Sequence, residues 1–298
     1  MSEARGTVLT VTRLGCDVVH GEQVTRIALG GKHAQQKTAL AVGDSVRFDP
    51  ARKVLLEVLP RRTVLARRRS FGQKREHVIA ANADRLAIVA SVASPPFRSG
   101  AVDRFLVAAH AGGLEALLVV NKLDLLAPGE ALPDEVRAYE AVIPVFAVSA
   151  TSGAGLERLR AALAHGTTVL AGHSGVGKSS LINALEPELR LETGELNKRE
   201  RGAHTTSAST WLRIAGGAVV IDTPGVREIG TGPVDRDLLG PVYPEIARAS
   251  VDCRFRDCEH RREPDCAVRA AVDAGSISAA RLANFHRLLD ETDSRARD

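Results

Sequence analysis

Residues 167–185 read TTVLAGHSGVGKSSLINAL: an apolar run, a glycine-rich loop and a segment with helical spacing. Residues 172–179 match the phosphate-loop pattern G-x4-G-K-S, and strand and helix signals flank the loop as they do in nucleotide-binding proteins. A glycine-rich turn that carries Lys-Ser by chance would lack that context. The stretch therefore predicts a parallel α/β fold with a phosphate site at the end of a strand.

The chemistry of this loop gives each residue type a role. Glycines let backbone N–H groups approach the α- and β-phosphates, Lys178 brings its charge to the β- and γ-phosphates, and the Ser179 hydroxyl is placed to bind Mg²⁺. The nucleotide contacts expected here come from Gly172, His173, Ser174, Gly175, Val176, Gly177, Lys178, Ser179 and Ser180.

A second apolar run, AVVI at 218–221, leads into DTPG at 222–225. There Asp222 would hold Mg²⁺ through water, and the N–H of Gly225 would meet the γ-phosphate. Asp-x-x-Gly alone is common in turns. Its position after a predicted strand makes it a candidate second loop of the same site.

The tetrad NKLD, Asn121 to Asp124 with Lys122 and Leu123 between them, follows the run ALLVV and indicates a preference for guanine. The Asp124 carboxylate can accept hydrogen bonds from a ring nitrogen and the exocyclic amine of guanine, whereas adenine offers no such pair. A wrong base would leave a buried carboxylate unpaired, at a cost of roughly 1–3 kcal/mol. Ser149 and Ala150, in the sequence SAT after another apolar run, would bring a backbone N–H to the guanine oxygen.

These loops occur in an unusual order, because NKLD precedes the phosphate loop by 51 residues. Loops at the carboxyl ends of parallel strands keep their places in space if the chain ends are joined and the chain is opened elsewhere. The order NKLD, SAT, GHSGVGKS, DTPG therefore predicts a circularly permuted GTPase domain.

The segments on either side of this domain have different sequence patterns. Residues 6–60 contain short β-leaning runs separated by polar turns, which indicates a small antiparallel barrel. After residue 266 the chain reads as two helices, with Gly275 and Ser278 as candidate caps. We therefore predict a barrel of the OB-fold type at residues 1–75, the GTPase domain at 76–232, and a zinc-binding domain with C-terminal helices at 233–298.

The zinc prediction depends on the spacing Cys-x4-Cys-x-His-x5-Cys, formed by Cys253, Cys258, His260 and Cys266. Three thiolates and one imidazole suit tetrahedral Zn²⁺, and the loop is short enough to ring one ion. Buried free cysteines beside a surface histidine are the alternative. Cys16 has no partner nearby in the sequence and is expected in the core.

Positive charge is concentrated near the N-terminus. Residues 1–75 carry a net charge of +9 and the remainder −5. A block of like charge attracts a polyanion such as RNA by releasing its counterions, although a solvated surface or basic linker would look the same. The candidate RNA-binding residues are the seven cations Arg61, Arg62, Arg67, Arg68, Arg69, Lys74 and Arg75.

Length and composition indicate the broad class of protein. The 298 residues are 44% hydrophobic and 26% charged, as in ordinary globular proteins. The sequence shows neither a run of about twenty apolar residues nor a signal-peptide pattern, so we expect a cytoplasmic protein without a membrane partner and most simply a monomer.

Across nearly the whole chain the sequence resembles the circularly permuted GTPases that depend on the small ribosomal subunit, the RsgA type. The resemblance runs through VGDSV, AANAD, VDRFL, NKLDLL, GHSGVGKSSLIN, GAHTTS, IDTPGVRE and the cysteine segment. It implies an OB-fold barrel, a GTPase domain and a zinc domain, with GTP and Mg²⁺ as ligands and one structural Zn²⁺. It further implies a factor of late small-subunit maturation that binds this subunit and its rRNA with GTP and leaves after stimulated hydrolysis. In GAHTTS the second and the last residue of the family pattern GRHTTT are changed, while the histidine and the two threonines after it are kept.

Hydrolysis needs a group that orients the attacking water, and the position after DTPG, which Ras-like enzymes fill with glutamine, is Val226. By resemblance His204 is the candidate catalytic residue and Thr205 or Thr206 completes the Mg²⁺ shell; a solvent-facing loop histidine is the alternative. Two other function classes are open. One is a GTP-gated RNA-binding module in which hydrolysis is incidental, and the other is an ATP-dependent enzyme, which NKLD disfavours.

Overall fold

Five antiparallel strands form the N-terminal sheet of the computed structural model, which describes residues 3–12, 14–28, 40–67, 77–187, 210–214, 217–223 and 234–293. The strand order is β3-β2-β1-β4-β5. The bounds are β1 (Ala4–Val11), β2 (Gly15–His20), β3 (Gln23–Ala28), β4 (Ser45–Asp49) and β5 (Val54–Val58). Each strand coincides with one of the β-leaning runs, so the prediction of an antiparallel N-terminal unit is confirmed.

The alternating pattern of these strands points one side chain in two at a small separate core. That core contains Val8, Cys16, Val18, Ile27, Val46, Phe48 and Leu55. Cys16 is fully buried there, as expected from the sequence.

A two-stranded hairpin links this sheet to the rest of the chain. It pairs β6 (Val64–Arg67) with β7 (His77–Ala81) and was not predicted from the sequence. The link is tight at Gly43, where φ is +88° and a Cβ atom would lie 2.1 Å from the carbonyl oxygen of Ala81. Only glycine fits so close an approach in this conformation.

The second large sheet has six strands in the order β10-β9-β8-β11-β13-β12, all parallel except β12. Its strands are β8 (Arg85–Ser91), β9 (Glu115–Asn121), β10 (Val145–Ala147), β11 (Thr167–Ala171), β12 (Thr210–Arg213) and β13 (Val219–Asp222). The helices after these strands are α1 (Ser99–Ala111), α2 (Asp134–Arg137), α3 (Leu156–Ala162) and α4 (Lys178–Leu185).

Both faces of this sheet are covered, which explains why its strands read as continuous apolar runs. Along β8, Leu86 and Ile88 face one core while Ala87 and Val89 face the other. The first strand of the sheet in chain order, β8, lies at its centre beside β11. This position agrees with a circularly permuted order of strands.

The C-terminal part is helical, with α5 (Leu239–Val242), α6 (Pro244–Ser250), α7 (Ala267–Asp273) and α8 (Ala279–Asp293). The last two are the helices predicted from the sequence. Beyond α7, Gly275 has φ +74°, and the N–H groups of Gly275 and Ser276 donate to carbonyl oxygens of the preceding turn, at 2.9 Å each. This is the glycine stop expected at the end of a helix.

Apolar side chains of α7 and α8, including Val268, Leu288 and Leu289, join the core on one face of the six-stranded sheet. The two predicted domain boundaries, at 75/76 and 232/233, lie outside the described residues and stay predictions. Among the helices that the structure describes, none has the length and hydrophobicity needed to span a bilayer.

Candidate functional site

The phosphate loop runs from the end of β11 to the start of α4, as its sequence predicts. At Gly177 φ is +93°, and a Cβ atom would lie 2.4 Å from Nδ2 of Asn121. The Lys178 ammonium donates to the carbonyl oxygens of Gly172 and His173, at 2.8 and 3.1 Å, and so lies across its own loop. The glycine requirement and the position of the lysine are those of a phosphate-binding loop.

Asn121 joins three of the predicted loops. Its side chain is buried; Nδ2 donates to the Val176 carbonyl oxygen of the phosphate loop at 3.0 Å, and Oδ1 accepts the N–H of Ala150 at 3.0 Å. NKLD, SAT and GHSGVGKS, which are far apart in the sequence, are therefore brought together by one amide side chain. The Ala150 N–H is the group that we expect to donate to the guanine oxygen. With the base bound, this N–H would be shared between Oδ1 of Asn121 and the guanine oxygen.

The Asp124 carboxylate is oriented by its neighbour, because the Ser149 hydroxyl donates to Oδ1 of Asp124. Ser149 is fully buried and its Oγ also accepts the N–H of Ser152 at 3.0 Å. The SAT loop thus supplies a second interaction to the base-reading loop, which the sequence did not reveal.

A further loop, residues 91–98, was missed by sequence reasoning. Lys122 of NKLD has φ +68° and donates through Nζ to the carbonyl oxygen of Ser94, while the buried Ser91 hydroxyl donates to the carbonyl oxygen of Pro95 at 2.7 Å. The ring of Pro95 lies beside Gly175 of the phosphate loop. Its sequence signal was the pair Pro95-Pro96, which follows the apolar run RLAIVASV at 85–92 after two residues.

Asp222 lies at the end of β13, and its Oδ1 is buried without a hydrogen-bond partner among the described residues. Burial raises the pKa of this carboxyl group, and the nearby charge of Lys178 acts in the opposite direction. An unsatisfied carboxylate oxygen beside the phosphate loop fits the oxygen ligands and water-mediated contacts that Mg²⁺ uses. The next residue, Thr223, is anchored by a 2.7 Å bond from its hydroxyl to the Leu170 carbonyl oxygen.

His204, Thr205, Thr206 and Gly225 lie outside the described residues, and their predicted roles stay predictions.

The four predicted zinc ligands form one cluster, with donor atoms within 4.8 Å of one another. Nδ1 of His260 lies 3.6 Å from Sγ of Cys253 and 3.5 Å from Sγ of Cys266, and these two sulfurs are 3.9 Å apart. A tetrahedral ion with Zn–S bonds of about 2.3 Å and a Zn–N bond of about 2.0–2.1 Å requires edges of roughly 3.8 and 3.6 Å. The distances among Cys253, His260 and Cys266 match these edges, and all four donors are of the kind that zinc binds.

The loop between these ligands is held by Glu263. Its carboxylate accepts the N–H groups of Glu259, Arg261 and Arg262 at 2.7–2.8 Å. Backbone N–H groups of this loop lower the pKa of Glu263 to about 2. Burial lowers the pKa of His260, which favours the neutral imidazole that binds metals.

Among the candidate RNA-binding cations that the structure describes, Arg61 and Arg62 form ion pairs within the protein. Arg61 forms a two-pronged pair with the buried carboxylate of Asp44, at 2.7 and 2.8 Å. Arg62 pairs with Asp84 at 2.6 Å and bridges to the backbone of Asn82. Arg67 ends β6. Arg68, Arg69, Lys74 and Arg75 lie outside the described residues.

Comparison with known proteins adds a consistent set of similarities. Residues 58–232 match the family model of the RsgA GTPase. The chain is 42% identical over 267 residues to the small ribosomal subunit biogenesis GTPase RsgA of Chlorobaculum parvum, covering 85% of this chain and 86% of that protein. It is 36% identical over 272 residues to the small ribosomal subunit biogenesis GTPase RsgA 2 of Bacteroides thetaiotaomicron, covering 87% and 86%.

Two solved structures share the fold. YjeQ from Thermotoga maritima superposes with a TM-score of 0.72 at 30% identity, over 98% of this chain and 99% of that one. YloQ, described as a circularly permuted GTPase, superposes with a TM-score of 0.69 at 25% identity, over 99% and 96%. The permuted fold predicted from loop order is thereby confirmed.

Proposed function

The chain belongs to the RsgA GTPase family, and on this basis we propose that it acts in late maturation of the small ribosomal subunit. It binds that subunit and its rRNA in the GTP state, as a monomer in the cytoplasm, and leaves after subunit-stimulated hydrolysis. The observation that carries the proposal is the joining of NKLD, SAT and the phosphate loop at Asn121. Its relatives bear the name small ribosomal subunit biogenesis GTPase.

Guanine selection falls to Asp124, whose carboxylate pairs with the base while Ser149 fixes its direction. Asn121 connects the NKLD loop to the phosphate loop through its bond to Val176, so the base and the phosphates are bound by one connected set of loops. A nucleotide with a different base edge would leave the carboxylate without its donors.

For hydrolysis, this chain supplies positioning and charge. Lys178 leaves its loop carbonyls to meet the β- and γ-phosphates, and backbone N–H groups at the start of α4 surround the phosphate oxygens. Ser179 and Asp222, with Thr205 or Thr206, would hold Mg²⁺, which when bound neutralises charge that develops on the phosphates. Val226 has no polar atom to orient water. We assign that task to His204 and expect slow intrinsic turnover.

The zinc cluster has a structural role in this proposal. All four candidate positions are protein ligands, which is typical of structural rather than catalytic zinc. One ion per chain would fix the loop between α6 and α7 and hence the packing of α7 on the GTPase core.

The RNA contact is assigned to the hairpin of β6 and β7, with Arg67, Arg68 and Arg69 as its anchor. The test is sedimentation of the protein with purified small subunits over a series of salt concentrations, with a non-hydrolysable GTP analogue or with GDP. Replacing the three arginines with alanine should weaken binding and reduce the slope of log K against log salt by up to about three units, since each phosphate contact contributes roughly 0.7–0.9.

A matched control removes three exposed cations of the N-terminal sheet, one in β1 and two in the turn between β4 and β5: Arg5→Ala, Arg52→Ala and Lys53→Asn. It should keep the wild-type slope. His204→Ala should bind subunits normally and lose only the stimulated rate. Equal binding with GTP analogue and GDP contradicts the proposed cycle, and tight nucleotide-dependent binding without any stimulation would favour the GTP-gated RNA-binding module instead.

A further inference from the structure

A buried cluster of charges connects helix α1 of the GTPase part to the C-terminal helices. Asp103, at the centre of α1, is fully buried and accepts a bond from the Arg281 guanidinium of α8. Two tyrosine hydroxyls also donate to this carboxylate, from Tyr139 at 2.8 Å and Tyr243 at 3.0 Å. One carboxylate therefore ties α1 to three other segments of the chain.

Arg281 is held on every side. Its Nε donates to Oε1 of Glu245 at 2.8 Å, and Nη2 donates to the Val242 carbonyl oxygen at 2.7 Å. Its guanidinium carbon lies 4.3 Å from the ring centre of Tyr243 and 4.9 Å from that of Tyr139. The guanidinium lies between two rings and pairs with two carboxylates, and these contacts tie α8 to α1.

Helix α8 also contacts the first turn of α1. Nδ2 of Asn284 donates to the Ser99 hydroxyl at 3.0 Å, and Arg287 lies so close to Gly100 that a Cβ there would be 1.8 Å from its Nη2. Farther along, Arg104 pairs with Glu291. The start of α1 is thus fixed by the C-terminal helix rather than by the sheet alone.

The other side of α1 faces the nucleotide site. The loop of residues 91–98 runs directly into α1, and it is the loop that contacts both Lys122 and the phosphate loop. The ring of Phe105 in α1 makes an edge contact with His173 at 6.4 Å between centres. A cavity of about 420 Å³ lies between Ala101, Val102 and Phe105 of α1 and residues 173–176 of the phosphate loop.

We propose that Arg281 and Asp103 are positioning residues for the nucleotide site: they set the place of α1, which sets the 91–98 loop and Phe105 against Lys122 and the phosphate loop. Nucleotide binding and the packing of α8 are then energetically coupled. The coupling is reciprocal, because a change in one equilibrium must alter the other by the same factor. This inference uses the family's GTPase activity and does not depend on the ribosome.

The test compares amide hydrogen exchange in α8 with and without Mg²⁺·GDP, in the full-length zinc-loaded protein. In wild type we expect GDP to slow exchange of the α8 amides by at least about fivefold, the lower end of typical coupling factors. The triple variant Asp103→Asn, Glu245→Gln, Arg281→Met removes all three charges at similar side-chain size, so no charge is left buried without a partner. It should lose the GDP effect on α8 and bind a fluorescent GDP analogue more weakly by the same factor.

The control is Val268→Ala, which opens a cavity in α7 but leaves the charge cluster intact. It should speed exchange in α8 equally with and without GDP, as any purely structural weakening would, and keep the GDP effect. Exchange of wild-type α8 that is indifferent to GDP overturns the proposal, and so does a triple variant that keeps the full effect. If the triple variant fails to fold, the wild-type comparison and the variant Arg281→Lys, with a smaller loss, decide the question.

Discussion

Asp124 is the residue to which we assign the preference for guanine, and its charge is the property to change. In Asp124→Asn the amide matches the altered donor and acceptor pattern of xanthine, so preference should shift from GTP toward XTP. A shift of at least tenfold in relative affinity corresponds to about 1.4 kcal/mol. Competition between the two nucleotides for a fluorescent GDP analogue measures it.

Asp134→Asn is the control for this substitution, because Asp134 is an exposed acid at the start of α2. It should leave the order of nucleotides unchanged. Unaltered GTP preference in Asp124→Asn would remove NKLD from the base site.

Asp222 should show opposite effects on stability and on nucleotide binding. Burial raises its pKa above the ordinary aspartate value of 3.8, so its ionised form destabilises the nucleotide-free, chelator-treated fold. Asp222→Asn should therefore raise the unfolding temperature at neutral pH and weaken Mg²⁺-dependent GTP binding.

The sign of the pH dependence follows from linkage. Below the unfolded-state pKa the carboxyl group of Asp222 is protonated in both the folded and the unfolded protein, so Asp222→Asn adds no stability. The variant becomes more stable than wild type as pH rises from about 4 through the raised folded-state pKa, because over this range wild-type Asp222 must ionise in its buried position. Thermal unfolding from pH 4 to 8 measures it, with the exposed Asp237→Asn as control. A variant less stable than wild type at pH 7 would contradict the assignment.

At the residue level the sequence indicated which side chains belong to the site but not how they hold one another. NKLD and the phosphate loop were predicted because their chemistry is local to short motifs. The bond from Asn121 to Val176 spans 55 residues, and no local pattern encodes it. The same holds for Ser149 and Asp124, and for the pairing that engages Arg61 with Asp44.

Among the elements, the cysteine loop between α6 and α7 offers a direct test. We expect one Zn²⁺ per chain, lost in Cys258→Ser together with the packing of α7 and α8. Structural zinc contributes roughly 10–16 kcal/mol of apparent binding energy in small finger peptides, enough to order so short a segment. Elemental analysis and amide exchange of freshly purified protein measure both effects.

Cys16→Ala is the matched control, because this cysteine lies in the separate core of the N-terminal sheet. It should keep one zinc ion per chain. Wild-type protein without bound metal, or Cys258→Ser with full zinc content, would show that the cluster is not a zinc site.

The strands of the N-terminal sheet and the five parallel strands of the six-stranded sheet were predicted because their apolar runs are long or alternate with polar residues. The antiparallel edge strand β12 was not predicted, since TWLR is short and stands outside any apolar run. The hairpin of β6 and β7 was not predicted, because four- and five-residue strands beside a basic segment give a weak periodic signal. The 91–98 loop and the charge cluster around Arg281 escaped for a different reason. Their meaning lies in contacts between distant elements, such as Arg281 with Asp103 across 178 residues.

For the whole molecule, circular permutation has a mechanical consequence. The chain enters the GTPase sheet at its central strand β8 from the N-terminal sheet and leaves it after β13 toward the zinc cluster. The N-terminal part is thus attached at the amino edge of the parallel sheet, and the chain leaves toward the C-terminal part at the carboxyl edge, where the nucleotide loops lie. A factor built in this way is suited to sense a large partner at two places and to answer with hydrolysis.

GTP turnover with and without purified small ribosomal subunits tests the central claim most directly. We expect slow turnover by the protein alone and a rise of at least about tenfold with small subunits, a reduction in barrier of about 1.4 kcal/mol. Large subunits should give no such rise, and Lys178→Ala, which lacks the phosphate cation, should hydrolyse little GTP under either condition. A wild-type rate that small subunits leave unchanged would contradict a GTPase cycle driven by the small subunit.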